Sequence, residues 1–295
     1  MCYAMSSVND RYYVPHNSYW PILGSIGLCA LFVGFARVLT GENIGSTLMV
    51  VGGLIMVLML VGWFGTVIRE SQSGSYNQQV GRSFRWGMCW FIFSEVMFFG
   101  AFFAALFYAR VLSVPWLGGE GSGFSTHLYV WPDFLAAWPL LQLPDPSQFD
   151  VAKAPMAAAG IPALNTLILL SSAATVTWAH WGLKAGRRRQ LIVGLVLTIA
   201  LGLLFLGLQA YEYRHAFTDL NLSISSGIYG TTFIMLTGFH GLHVTVGAIM
   251  LMVILGRSLA GHFTPLGHFA FEASAWYWHF VDVVWLILFT FVYWL

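Results

Sequence analysis

The sequence predicts an all-α polytopic membrane protein with seven transmembrane helices, on three observations. Of 295 residues, 58% are hydrophobic and 8% are charged, far below the roughly 25% charged residues of soluble domains. The apolar residues gather into seven stretches of about 20 residues or more, the length needed to cross a hydrocarbon core of about 30 Å. Lys and Arg are shared unequally between alternate connections. Helices are the natural spanning element for such stretches, because the bilayer core offers no water to open backbone groups.

The first span, Trp20 to Leu39, carries Arg37 near one end, where a long side chain reaches the interface. The second, Gly45 to Ile68, is closed by Trp63, Arg69 and Glu70. Arginines at this level can pair with lipid phosphates and a carboxylate can accept from an ethanolamine head group, or the set can be plain interface anchoring. The third, Phe84 to Arg110, holds Glu95 among Phe91, Phe98, Phe99 and Phe102. That setting predicts a carboxyl that stays neutral unless a cation or water reaches it, either bonded to a neighbouring helix or acting as a proton-binding or lipid-facing acid. The fourth, Pro162 to Leu183, and the fifth, Gln190 to Tyr213, flank a short basic turn. The sixth, Tyr229 to Leu255, sets His240, His243 and Gly247 on one face and is closed by Arg257. The seventh, Phe271 to Leu295, continues a polar stripe of His268, Glu272, His279 and Asp282, which fall within about 80° of one another at 100° per residue. This stripe is expected to meet the histidine face of the sixth span, and Glu95, His243 and Asp282 are expected to share one polar layer.

Residues 1–68 thus hold an N-terminal segment and two spans, and 69–295 hold a five-helix bundle with a long external loop at 111–161. That loop contains Pro115, Pro132, Pro139, Pro144, Pro146 and Pro155 with a Gly118 to Gly123 run, so it reads as irregular apart from a short interfacial helix over Val130 to Leu141.

Nine Lys and Arg fall on one side (Arg11, Arg69, Arg82, Arg85, Lys184, Arg187, Arg188, Arg189, Arg257) and four on the other (Arg37, Arg110, Lys153, Arg214). The positive-inside rule puts the N-terminus in the cytoplasm and the C-terminus outside. Trp63, Trp86, Trp90, Trp178, Trp181, Trp276 and Trp278 lie toward the inner ends of their spans, as an interfacial aromatic band would. Met1 to Asn17 lacks the order of a signal peptide and the Arg-rich character of a transit peptide. This favours the bacterial inner membrane, with the mitochondrial inner membrane as the alternative.

A net charge of +1 and the lack of a basic block exclude nucleic acid as a partner. Cys2, Cys29 and Cys89 lie 27 and 60 positions apart, which suits neither a disulfide framework nor a metal motif, so they read as apolar filler. No phosphate loop, Ser-His-Asp set or pair of catalytic carboxylates is visible, so no catalytic residue is assigned. For the intramembrane His and carboxyl groups three readings stand: mutual satisfaction inside the bundle, proton relay or ion transport, and metal or haem ligation.

Several segments carry a family resemblance. TGFHGLHV at Thr237 to Val244, FEASAWYWHFVDVVW at Phe271 to Trp285 and FIFSEVMFFG at Phe91 to Gly100 resemble cytochrome c oxidase subunit III, of the haem-copper terminal oxidases. So do LNT at Leu164 to Thr166, TWAH at Thr177 to His180, LQAYEY at Leu208 to Tyr213 and VIRES at Val67 to Ser71. The resemblance implies a core subunit of a proton-pumping cytochrome c oxidase, with a V of two plus five helices and phospholipids in the cleft. It implies that this chain holds no metal, that haem and copper sit in catalytic subunit I and copper-bearing subunit II, and that cytochrome c is the donor to the complex. The implied role is to support proton uptake and stabilise the catalytic subunit. Glu95 matches the family's membrane-embedded acid. Trp63, Arg69, Glu70, His243 and Arg257 match lipid-binding positions, and Glu272, His279 and Asp282 match the stripe of the last span. Gly65 and Thr66 depart from a charged pair common before VIRES, and Trp181 departs from a second His. Subunit III of a quinol oxidase, which usually lacks the first two spans, and a stand-alone proton or cation transporter are the alternatives.

Overall fold

The computed structural model describes residues 12–14, 18–145, 147 and 149–295. Cys2, Arg11 and Pro146, used above in the cysteine, charge and proline readings, lie outside the described residues, as does most of Met1 to Asn17. Seven helices are long and apolar enough to cross a membrane. They are built on α1 (Trp20–Leu39), α2 (Ile44–Gln72), α3 (Gln78–Phe107), α6 (Ile161–Lys184), α7 (Arg188–Thr218), α8 (Gly227–Leu259) and α9 (Phe269–Leu288), with two short helices, α4 (Val114–Leu117) and α5 (Phe124–Tyr129), between α3 and α6. No strand forms among the described residues.

α1 keeps its expected bounds, whereas α2, α3, α6, α7 and α8 overrun theirs because polar residues can continue a helix into the headgroup layer. Asn77 caps α3, its side-chain oxygen accepting from the Val80 N–H at 2.9 Å. At the other end the expected stop at Arg110 is corrected. A π-helical turn over Tyr108–Ser113 leads into α4, so the third span runs from Gln78 to Leu117 and the connection begins after it. In that wide turn the Val114 N–H reaches the Ala109 carbonyl, and the chain carries on helically through Pro115, which was expected to lie in the irregular connection.

The expected helix over Val130 to Leu141 is also corrected: the helical turn is α5, and residues 130–141 are irregular. Trp131 and Trp138 each precede a proline, which disfavours the α conformation. Val114, Phe134 and Leu140 form a small core there with Trp131 and Trp138 against it. The later part of the connection docks on the end of α7, through Lys153 N–H to Leu220 O at 2.9 Å, and on α8, through Met156 N–H to the Tyr229 hydroxyl at 3.1 Å.

The chain divides into two compact units, residues up to Trp86 and residues from Gly87 onward. In the first, α1 and α2 pack backbone to backbone. A Cβ on Gly34 would sit 2.7 Å from Met49 N and 2.8 Å from Gly45 O, and one on Gly52 would sit 2.7 Å from Leu31 N and 2.8 Å from Gly27 O. Gly27 and Gly34, like Gly45 and Gly52, stand seven residues apart, which puts each pair on one face.

In the second unit α6, α7, α8 and α9 surround a core that includes Phe205, Phe233, Trp278, Trp285 and Leu288. Trp278 is a correction to the interfacial band: it is fully buried, its indole N–H donating to Ser172 Oγ at 2.9 Å. Gly202 and Gly247 leave room for its ring, since a Cβ on either would fall within 3 Å of it. Trp63, Trp86, Trp90, Trp178 and Trp181 remain exposed, as a band facing lipid requires. Cys29 and Cys89 are free and exposed on their helices.

Candidate functional site

The intramembrane polar residues separate into three groups. In the first, α3 presents Glu95 and α8 presents His243, with Oε2 2.9 Å from Nε2. His243 Nδ1 lies 2.6 Å from the Phe239 carbonyl one helical turn earlier. A carbonyl only accepts, so Nδ1 carries a hydrogen. The Nε2 contact then holds one proton, either on Glu95, donating to a neutral ring, or on an imidazolium donating to a carboxylate. The ring packs against Phe98, Phe99, Tyr277 and Phe280 at centroid distances of 5.0 to 6.4 Å. Of the phenylalanines expected around Glu95, Phe102 packs on Phe98 and Phe239, and Phe91 on Tyr277.

His240 forms the second group. It is fully buried between Phe205 and Trp285, with Nε2 donating to the Val281 carbonyl at 3.2 Å. The histidine face of α8 therefore meets α9, as expected, but at Tyr277, Trp278 and Val281 rather than at the polar stripe.

The stripe of α9 is the third group, and its partner is a correction: it faces α6, not α8. His279 Nε2 lies 3.3 Å from Thr177 Oγ1 and Nδ1 lies 3.6 Å from Asp282 Oδ2. His268 rests edge-on against His180 at 5.4 Å, and Glu272 acts electrostatically on His180. The expected layer of Glu95, His243 and Asp282 is thus divided, because Asp282 pairs with His279. Side chains on one turn of α9 point to different neighbours, and the helix presents positions 277 and 280 to α8 while 279 turns toward α6.

Of the expected lipid set, Trp63 is exposed, and Arg69 is exposed with Nε on the Gly65 carbonyl at 3.2 Å. Glu70 accepts from the hydroxyls of Tyr13 at 3.0 Å and Tyr76 at 2.7 Å. Burial first, then the bond to Glu70, raises the Tyr76 phenol; the bond to Glu70 comes first in raising Tyr13. Arg257 stacks its guanidinium over Phe263 at 4.6 Å, while Nε has no hydrogen-bond partner among the described residues. His243 has its two ring nitrogens on the Phe239 carbonyl and on Glu95.

Glu212 escaped the sequence reading. It stands near the end of the expected fifth span, where a carboxylate usually meets water, but α7 continues to Thr218 and leaves it 2% exposed. Tyr293, Gln209 and Tyr213 lie around it. Among the described residues no group of three or more His, Cys, Asp or Glu is placed to hold a metal ion.

A sequence model of the family described as cytochrome c oxidase subunit III matches residues 10–129 and 147–295. The chain belongs to the cytochrome c oxidase subunit III family. A subunit 3 from Marchantia polymorpha is 42% identical over 281 residues, 93% of this chain and 92% of the relative. Those of Danio rerio and Branchiostoma lanceolatum are 40% identical over 291 residues and 41% identical over 276 residues, covering 98% and 93% of this chain and 99% and 93% of the relatives. The stretch 130–146, which the subunit III match skips, includes the irregular segment of the long connection. A cytochrome c oxidase subunit III is part of an oxidase complex, so a multi-pass membrane chain of this family has an oxidase as its partner.

Proposed function

We propose that this chain is a non-catalytic core subunit of a proton-pumping cytochrome c oxidase. It packs on catalytic subunit I, beside copper-bearing subunit II, supports proton uptake and keeps the catalytic subunit stable. Haem and copper reside in those partners, and cytochrome c supplies electrons to the complex. The observation that carries this reading is the engagement of the family histidines within the chain: His243 spends both ring nitrogens on Phe239 O and Glu95, and His240 binds a backbone carbonyl. Such groups join helices.

Phospholipid head groups are held by Arg69 and, separately, by Arg257, and Trp63 packs on lipid; Glu70, fixed by two phenols, orders the segment around Arg69. The chain lies in the bacterial inner membrane with a cytoplasmic N-terminus, and the Lys and Arg asymmetry supports that topology; labelling of single cysteines placed in the two basic turns tests the side.

Purification of the native particle tests the assignment. Haem-bearing and copper-bearing subunits are expected to co-isolate, with retained phospholipid in the mass spectrum. A homogeneous single-chain particle would return the transporter reading, and a complex fed by quinol would make this the quinol oxidase version. In the assembled complex Glu95→Gln is expected to leave oxygen reduction largely intact, and Arg257→Ala to lower lipid retention more than it lowers thermal stability. Loss of turnover in the first variant, or unchanged lipid in the second, overturns the corresponding role.

A further inference from the structure

The end of the bundle where α7 and α9 finish contains polar side chains that neither the family reading nor the Glu95 pair uses. Asn165 of α6 is 0% exposed, Gln209 of α7 is 5%, Glu212 is 2%, and Tyr293, beyond α9, is 7%. Gln209 Nε2 donates to the Tyr293 hydroxyl oxygen at 3.5 Å, and that hydroxyl lies beside the Glu212 carboxyl without the geometry of a full hydrogen bond. Asn165, on the neighbouring helix, stands at the same height by register. The Thr175 and Thr198 hydroxyls meet at 2.8 Å and Gly194 packs on Ala179, so the antiparallel α6 and α7 bring Asn165 to the height of Leu208 and Gln209.

Five atoms here have no hydrogen-bond partner among the described residues: Asn165 Nδ2 and Oδ1, Gln209 Oε1, and both oxygens of Glu212. A buried polar atom left unsatisfied costs about 1 to 3 kcal/mol, so five together favour a bound ligand that satisfies them. Four of the five are acceptors, and the donors left in the cluster are the Tyr293 O–H, Asn165 Nδ2 and the second hydrogen of Gln209 Nε2. The ligand must therefore bring hydrogens and still be able to accept one. Water does both, and buried waters typically make two to four such bonds.

We propose that Asn165, Gln209, Glu212 and Tyr293 enclose an internal water site, in which at least one water donates to Glu212 and Gln209 and accepts from Asn165 or Tyr293. The inference is independent of the role assigned to the subunit. It makes Glu212 a binding residue rather than a misplaced interfacial acid, and it gives the π-helical end of α9 a purpose, since Tyr293 is delivered to the site by that segment.

The test is a density map, at a resolution that shows ordered water, of the native particle that contains the chain. The expected result is a water within hydrogen-bonding distance of a Glu212 oxygen and of Gln209 Oε1 or an Asn165 side-chain atom. Side chains closed directly on one another, or a cation bound by the four oxygens, overturns the proposal. Glu212→Gln is expected to keep the water and Glu212→Leu to lose it. A water that persists in the Leu variant overturns the part assigned to Glu212, and if that variant does not assemble the wild-type map decides alone.

Discussion

The α1–α2 hairpin and the α6–α9 bundle bury their helices by different means. Between α1 and α2 the backbones themselves touch, and of the hairpin's residues only Gly27, Gly34, Gly45, Gly52 and Met59 are buried. Many of the other residues on those helices face outward, among them Ile22, Phe32, Leu54 and Leu58. The bundle instead interlocks large side chains and threads polar groups through them: Trp278 to Ser172, Trp285 to Thr166, His240 to Val281. In lipid, apolar side chains gain little by leaving one hydrocarbon environment for another, so association rests on close packing and on polar groups that would otherwise go unsatisfied. The hairpin uses the first device and the bundle uses both.

The largest effect is expected where the bundle's two devices coincide. Trp278→Ala removes a ring seated against Gly202 and Gly247 and leaves Ser172 Oγ without its donor. Large-to-small core changes of this kind cost about 3 to 5 kcal/mol, so loss of the subunit from the purified complex is expected on gel and mass spectrum. A bundle that tolerates this change would not be held by interlocking rings.

Next comes Gly45→Val, whose side chain would meet Val38 N, Gly34 O and Arg37 C within 3 Å. Overpacking costs about 1 to 3 kcal/mol, and the prediction is a lower Tm with the two helices further apart, read by distances between spin labels on α1 and α2. The same substitution at Gly53, which has nothing within 4 Å, is expected to have little effect. Equal effects at both positions would break the comparison.

Smaller still is Asp282→Leu. It removes the partner of His279 and is expected to loosen α6 against α9 rather than α8 against α9, as hydrogen exchange in the α6 segment around Thr177 would show. Protection lost mainly along α8 would contradict the placement of the stripe.

The smallest effect concerns the segment around Glu70. Tyr76 has its phenol raised from an ordinary value of 10.0. A group with a raised folded value contributes stability that is fully present below its unfolded value and is lost as pH climbs above it. Stability of this region is therefore expected to hold to about pH 10 and then fall, and Tyr76→Phe is expected to flatten that fall. An identical alkaline profile in the variant would remove Tyr76 from the account.

The legible part of the molecule is what one helix can say about itself. Seven runs of apolar residues were sufficient for the seven spans, because insertion depends on composition summed along one segment. The stripe on α9 and the histidine face of α8 followed from helical periodicity alone. The hairpin's glycines are also readable as small residues on one face, although only the contact shows that backbone meets backbone.

Partners were decided elsewhere. A stripe has a direction only relative to its own helix axis, so the sequence could state that His279 and Asp282 share a face and not that the face turns to α6. Trp278 and Trp181 look alike as residues near the inner ends of spans, yet one fills a slot made by Gly202 and Gly247 on two other helices and the other is exposed. Glu212 stands near a span's end in one dimension and inside the core in three, because α7 runs on and α9 continues far enough to bring Tyr293 beside it. Hydropathy and periodicity are properties of a single helix, whereas a polar group's partner depends on the rotation and register of two, and those are set only when the helices pack.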